Sequence, residues 1–277
     1  MIKNIENLPA VCVNLDRRKD RWQRFSSQPA CVRMIQSGQL KRWSAVEGKN
    51  IEWLSDKRVS LIAKRNIKEK WRRSHEDLNS VGGIGCALSH ISIWKWLVDS
   101  EHDAMIVFED DAKVPVDFSK RLQIAVDNSV ILQNGMYDLI VPAATARMNE
   151  EPVERFVKKV DFFMCTQFYI ITKNTARKFL ANVYPITEHI DLWICLYKFV
   201  YGLKLYCINP KWINVTQFGS PSDITPIDYC PLCNYDTEFY KTNRLVSKID
   251  FWSMRMAEIG LAGFCGWLLW KHYGRTK

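Results

Sequence analysis

Glu109, Asp110 and Asp111 are three carboxylates in succession, directly after the apolar run Ala104-Met105-Ile106-Val107-Phe108. Like charges packed this tightly repel one another, so the triplet calls for compensating positive charge. A divalent cation carrying a phosphorylated ligand would supply it, because hard cations take carboxylate oxygens. The alternative is a solvated turn after a strand. In an extended segment Glu109 and Asp111 project to one side and Asp110 to the other. Two more acids stand apart from the triplet. Asp191 is the lone acid of the very apolar residues 190–200, and Asp223 lies in a polar, turn-rich loop at 217–224. At the start of a helix Asp191 either answers the dipole or faces a pocket as a functional group. On the basic side, Asp16-Arg17-Arg18-Lys19-Asp20-Arg21 follows the first apolar run. Arginines there could hold a diphosphate or nucleobase, or could form a solvated helix start.

The elements that must position these groups follow from the apolar pattern. Residues 104–108, 10–15, 40–46, 136–141, 162–171 and 205–208 read as strands, several of them apolar without alternation and so buried on both faces. Between them lie helical patterns. One follows the basic turn at Trp22. Another carries Ile84, Leu88, Ile91, Trp94 and Val98. A third, with Ser119 as its cap, carries Leu122, Ala125, Val126 and Leu132 and is closed by Asn134-Gly135. A fourth is capped by Thr172 or Asn174, and the last covers residues 190–200. Alternating strands and helices predict an α/β fold with a mixed, mostly parallel sheet flanked by helices. The triplet then sits beyond the carboxyl end of a strand, where open α/β sheets bind their ligands.

Gly82-Gly83-Ile84-Gly85 opens the second helix and would expose backbone N–H groups suited to an anion, although it does not match the G-x-G-x-x-G dinucleotide fingerprint. Ser89 and His90 are neighbours in sequence, diverge on a helix, and so are not a catalytic dyad.

The chain has 277 residues, 47% of them apolar and 25% charged, with a net charge of +9. That excess suits polyphosphate ligands, an anionic membrane surface or nucleic acid. Residues 57–73 hold eight Lys and Arg against Glu69 alone, and read as a solvated helix, a flap over an anion, or a membrane-facing amphipathic segment. The nine cysteines lie mostly in apolar stretches, which points to buried, reduced thiols in a cytoplasmic setting. Cys230-Pro231-Leu232-Cys233 is a lone CxxC, better read as a turn than as a zinc site. The apolar run at 259–270 is short of the roughly 20 residues that span a bilayer, so a core helix or an interfacial anchor is expected, with neither leader nor transmembrane span.

Six blocks in order resemble glycosyltransferase family 25, the lipooligosaccharide and collagen β-galactosyltransferase-like enzymes. They are Val13 to Arg21, Gly85-Cys86-Ala87-Leu88-Ser89-His90, Phe108-Glu109-Asp110-Asp111, Tyr169-Ile170-Ile171 with Ala176, Ile190-Asp191, and Ser222-Asp223-Ile224. The resemblance covers roughly residues 10–225 and leaves 226–277 as a C-terminal extension. It implies a GT-A domain, a UDP-sugar donor with galactose first and glucose second, a divalent metal such as manganese, and inversion at the anomeric carbon. The acceptor it implies is a glycan, a glycolipid or a hydroxylysine-type protein. In that frame Asp111 is the first metal ligand with Glu109 beside it, and Asp110 reaches the ribose or donor sugar. Asn14, Arg17 and Arg21 contact the nucleotide. Asp191 is the base, with Asp223 second. One departure stands out: Gly82-Gly83 replaces the Gly-Glu often found before Ile-Gly-Cys, so a carboxylate is missing.

Two other classes compete. One is a catalytically silent relative that binds glycans or proteins through the same fold. The other is nucleic-acid binding through residues 57–73, disfavoured because no recognised module surrounds the basic run. Peripheral contact with an anionic membrane is compatible with the enzyme reading.

Overall fold

The computed structural model describes residues 4–69, 77–219 and 223–224, the backbone alone at 149–152, and helical positions at 260, 263–265, 267 and 271. Two compact units divide the chain, Met1–Thr225 and Pro226–Lys277. In the second, Phe264 and Trp267 stack 6.0 Å apart on exposed helix, and the Lys271 ammonium stands 4.9 Å from the Trp267 ring. The CxxC at 230–233, Ser222 and basic residues 70–73 lie outside the described residues.

The first unit runs β1 (Ala10–Asn14), α1 (Lys19–Ser26), α2 (Pro29–Gln36), β2 (Leu40–Ser44), α3 (Leu61–Glu69), α4 (Val81–Asp99), β3 (Ala104–Glu109) and β4 (Ala112–Lys113). It continues through α5 (Phe118–Asp127), α6 (Val130–Gln133), β5 (Leu139–Ile140), β6 (Ala146–Pro152), β7 (Val157–Phe163) and β8 (Phe168–Thr172). It closes with α7 (Lys173–Leu180), α8 (Ile190–Tyr201), β9 (Leu205–Ile208) and β10 (Thr216–Gln217). Eight strands form one sheet in the order β2-β1-β3-β8-β5-β9-β7-β6. Following the pairings across it, β2, β1, β3, β5, β9 and β6 run one way and β8 and β7 the other. The expected mixed, mostly parallel α/β sheet is therefore present.

Strand alternation explains the two cores. On β3, Met105 and Val107 face the layer of α4, α7 and α8, while Ile106 and Phe108 face α1, α2 and α5. Phe108 is fully buried, with its ring centroid 5.7, 5.6 and 5.5 Å from those of Phe25, Phe118 and Phe168. That aromatic cluster lies under the acidic turn and fixes where it emerges; truncating one such ring typically costs about 3–5 kcal/mol. Helix α4 has the length and apolar composition of a membrane span, but 61% of it is buried in this fold, with Trp94 among α7 and α8 side chains.

Four sequence expectations change. The helix expected from Ser119 to Asn134 is two, because Ser129 adopts an extended backbone and caps α6 by accepting from Leu132 N–H. Ser119 lies inside α5, whose first residue is Phe118. The strand expected over 162–171 is the end of β7 and the whole of β8, separated by a turn in which Cys165 takes φ 65°. The strand expected over 136–141 shrinks to Leu139–Ile140, since Asp138 turns aside to accept from Thr175 Oγ1 and Lys204 N–H. The glycines that open α4 serve close packing. A Cβ on Gly82 would lie 2.6 Å from the Asp223 carbonyl oxygen, and one on Gly85 2.5 Å from that of Val46. Ser80 Oγ, not an anion, takes the Gly83 N–H at 3.1 Å.

Candidate active site

Parallel pairing of β1 with β3 brings their carboxyl ends together, with Val13 opposite Glu109. Asn14 therefore emerges beside the acidic turn. Its Nδ2 donates to Asp110 Oδ2 at 2.6 Å and to the Arg18 carbonyl at 3.0 Å, while its Oδ1 accepts from Arg42 Nε at 2.7 Å. Helix α1 delivers Arg21 to the same place. Its Nη2 lies 2.9 Å from Asp111 Oδ2, its Nε 2.9 Å from Asp110 Oδ1 and its Nη1 3.1 Å from Asp223 Oδ2. The Nε contact is an ion pair rather than a hydrogen bond, since the N–H is not aimed at the oxygen.

Strand alternation continues into the triplet. Glu109 turns to the α4 face, where its Oε1 lies 3.3 Å from His90 Nε2 and accepts from Thr166 Oγ1. Asp110 turns to the α1 face and is 6% exposed. Two recesses meet at this turn. The larger, about 490 Å³, is lined by Asn14, Arg21, Glu47, His90, Asp110 and Asp223 among others. The smaller, about 280 Å³, is lined by Phe162, Met164, His189 and Asp191. Glu109 and Asp111 line both, as do Cys86, Cys165 and Gln217. The larger volume lies in the range of small-molecule sites.

Electrostatics separate the two carboxylates at the junction. Burial works to raise the Glu109 pKa, but hydrogen bonds from His90 and Thr166 with the charge of Arg21 hold it below the usual range. Burial and then the Glu109 charge push Asp111 up to about 7, against the pull of Arg21. Asp111 Oδ1 is buried and accepts no hydrogen bond from any described residue. An unpartnered carboxylate oxygen beside an ionised one, both hard donors, fits a divalent cation. Cys86, one helical turn before His90, also brings its Sγ within 4.8 Å of His90 and Glu109 ligand atoms.

The arginines expected on the nucleotide are committed inside the protein. Arg17 pairs with Glu47 and Asp223, each at 2.7 Å. Arg18 pairs with Asp20 at 2.9 Å and with Asp223, and Arg21 is shared by three acids. Asn14 has no donor left over, and Asp110 is tied by Asn14 and Arg21 rather than open to a sugar. Of these residues Asn14, Arg21 and Asp110 line the larger recess. Asp223, the second candidate base, is bound by arginines. Burial tends to raise its pKa, but the Arg17 hydrogen bond and the charges of Arg18, Arg17 and Arg21 outweigh it, and the carboxyl is held below its ordinary value. A carboxylate gripped by three guanidinium groups is a poor proton acceptor. Asp191 differs: its Oδ2 accepts from Cys165 N–H at 2.7 Å and its Oδ1 from Leu192 N–H at 2.8 Å, and it lines the smaller recess.

The sequence reading missed the turn at 164–167. Its signal was slight, since only a positive φ at Cys165 bends the backbone so that Asp191 and Thr166 reach one site. It also missed the short β4–β10 pairing, which with Phe218 N–H donating to the Asp111 carbonyl at 2.7 Å straps loop 216–219 to the acidic turn.

Comparison with known proteins gives a consistent picture. The family model described as "Glycosyltransferase family 25 (LPS biosynthesis protein)" matches residues 8–194. Procollagen galactosyltransferase 2 of Homo sapiens is 27% identical over 247 residues, 81% of this chain and 38% of that protein. Procollagen galactosyltransferase 1 of Danio rerio is 30% identical over 196 residues, 65% of this chain and 30% of that protein. A Rattus norvegicus protein named "Probable inactive glycosyltransferase 25 family member 3" is 41% identical over 123 residues, 40% of this chain and 21% of that protein. The matched part is well under half the length of these relatives.

Proposed function

This chain belongs to glycosyltransferase family 25, and we propose that it moves a sugar from a UDP-sugar to a hydroxyl acceptor with inversion. Galactose is the first donor sugar and glucose the second; the procollagen galactosyltransferase names of its relatives support that order. One observation carries the reading: Glu109 and Asp111 stand where two recesses meet, and Asp191 lines only the smaller. The donor belongs in the larger recess and the acceptor in the smaller, on opposite sides of the reacting carbon.

Asp191 then takes the proton of the acceptor hydroxyl as its oxygen bonds to the anomeric carbon. The bond from that carbon to UDP breaks on the far side, and its electron pair leaves with UDP. A divalent cation, manganese foremost, would be held by Asp111 and Glu109 and would offset the charge growing on the departing diphosphate. Asn14 and Arg21 keep the acidic turn in register, and the GT-A description of the domain belongs to the same proposal.

The acceptor class is a glycan, a glycolipid or a hydroxylysine-type protein. Exposed Leu61 and Ile62 beside Lys64, Arg65 and Lys68 on α3 support contact with an anionic membrane carrying such a lipid. The setting that accompanies this reading is cytoplasmic; the seven described cysteines are free thiols, which supports it.

A second reading has its own observation. The rat relative named "Probable inactive glycosyltransferase 25 family member 3" is similar over 40% of this chain, and Gly83 offers no carboxylate to the smaller recess. On that reading the protein binds glycan or protein and turns nothing over. Incubation with UDP-galactose and UDP-glucose, with and without manganese, separates the two: UDP release supports transfer, and silence with saturable glycan binding supports the second reading.

A further inference from the structure

The Trp94 indole can only donate a hydrogen bond, and it donates to the Tyr169 hydroxyl at 3.0 Å. The hydroxyl has one proton, and its other close partner is His90 Nδ1 at 2.9 Å. If His90 donated from Nδ1, the hydroxyl would receive two donors and its own proton would lack an acceptor among the described residues. Trp94, Tyr169 and His90 are each 1% exposed or less, so such a loss is not repaired by bulk water. The hydroxyl proton therefore points to Nδ1, and the ring proton of neutral His90 resides on Nε2. That nitrogen faces Glu109 Oε1 at 3.3 Å.

We propose that Trp94, Tyr169 and His90 form a one-way donor relay that positions Glu109 for the transfer reaction. With Thr166 it holds Oε1, leaving Oε2 without a donor among the described residues while Glu109 lines both recesses. The relay also decides what the cluster of Cys86, His90 and Glu109 is. Those ligand atoms lie within 4.8 Å of one another, which suits a soft cation only if His90 Nε2 offers a lone pair. A proton stands there instead. The three are positioning residues rather than catalytic ones, and the inference rests on the reading that Glu109 belongs to the reacting site.

The test is histidine ring-nitrogen NMR on the full chain without donor or metal, the His90 signal being assigned by its loss in His90→Gln. A pyrrole-type Nε2–H with a pyridine-type Nδ1, unmoved by equimolar cadmium, is expected. An Nδ1–H tautomer, or a cadmium-induced shift of Nε2, overturns the relay. Turnover supplies the second arm. Tyr169→Phe removes the hydroxyl that fixes the ring; it should populate both tautomers and lower kcat about 10-fold with donor KM unchanged. His90→Gln, which keeps a donor toward Glu109, should retain more activity than His90→Leu. Equal activity of all three with wild type overturns the positioning role. If the wild type releases UDP from no donor while the expected tautomer is observed, the transferase reading fails and the relay geometry stands.

Discussion

Arg21 Nη2 lies 2.9 Å from Asp111 Oδ2, while the other oxygen of that carboxylate is buried and accepts no hydrogen bond from any described residue. One cation is therefore already built into the acidic turn, and one oxygen is left over. A guanidinium can pair with carboxylates, but it cannot leave an open coordination position for a diphosphate. The leftover oxygen is what makes Asp111, rather than the more deeply tied Asp110, the group to test first.

With its pKa pushed up to about 7, Asp111 binds a proton that the unfolded chain releases near pH 4. Its contribution to stability is therefore full below about pH 4 and is lost as pH rises through about 7. Without metal, Asp111→Asn should gain in Tm relative to wild type between pH 5 and 8, by a few degrees, as read by calorimetry. Manganese competes with the same proton, so its affinity should fall about tenfold per pH unit below 7 in a titration series.

Asp191→Asn keeps an acceptor for Cys165 N–H and removes the proposed base. Transfer kcat should drop by about 10²–10⁴, with UDP-sugar affinity unchanged by calorimetric titration. A fall in donor affinity without a fall in kcat would reassign Asp191 to binding.

Asp223→Asn leaves three arginines short of one carboxylate. A stability loss of about 2 kcal/mol in urea is expected. The pH dependence of kcat in the surviving enzyme should be unchanged, because Asp223 carries no proton in the reaction.

Gly82→Ala would press a methyl group against the backbone of Asp223 and Ile224, the nearest atoms lying 2.6 and 2.9 Å away. Overpacking of this kind costs about 1–3 kcal/mol. Because the displaced segment carries the arginine-paired acid, donor KM should rise with it, and kinetics on the soluble variant read this directly.

Much of the architecture was legible because burial on both faces leaves a plain mark. Residues 104–108 and 205–208 are apolar without a break, and each is a strand. The family blocks located the acidic turn at the end of β3 and Asp191 in the first turn of α8, whereas Asp223 lies in neither a strand nor a helix. What was not legible is partnership. Nothing local in Asn14, Arg17 or Arg21 says that their donors are taken up by Asp110, Glu47 and Asp223, two of those acids lying over ninety residues away. The glycines before Ile84 and Cys86 looked like an anion cradle because helix N-termini suit anions, yet backbone crowding from residues 223–224 at Gly82 and from residues 46 and 48 at Gly85 is what requires those two. His90 was set aside as half of a false dyad; its role lies with Tyr169 and Glu109, which sequence spacing could not reveal.

The central claim is that Glu109 and Asp111 serve sugar transfer from a UDP-sugar. Its most direct measurement is UDP release from UDP-galactose with manganese, comparing wild type with Asp111→Asn at pH 7.5. Wild type should release UDP only with the metal, and the variant should lose at least about 100-fold in kcat while remaining folded by circular dichroism. Equal turnover by wild type and Asp111→Asn would contradict the account.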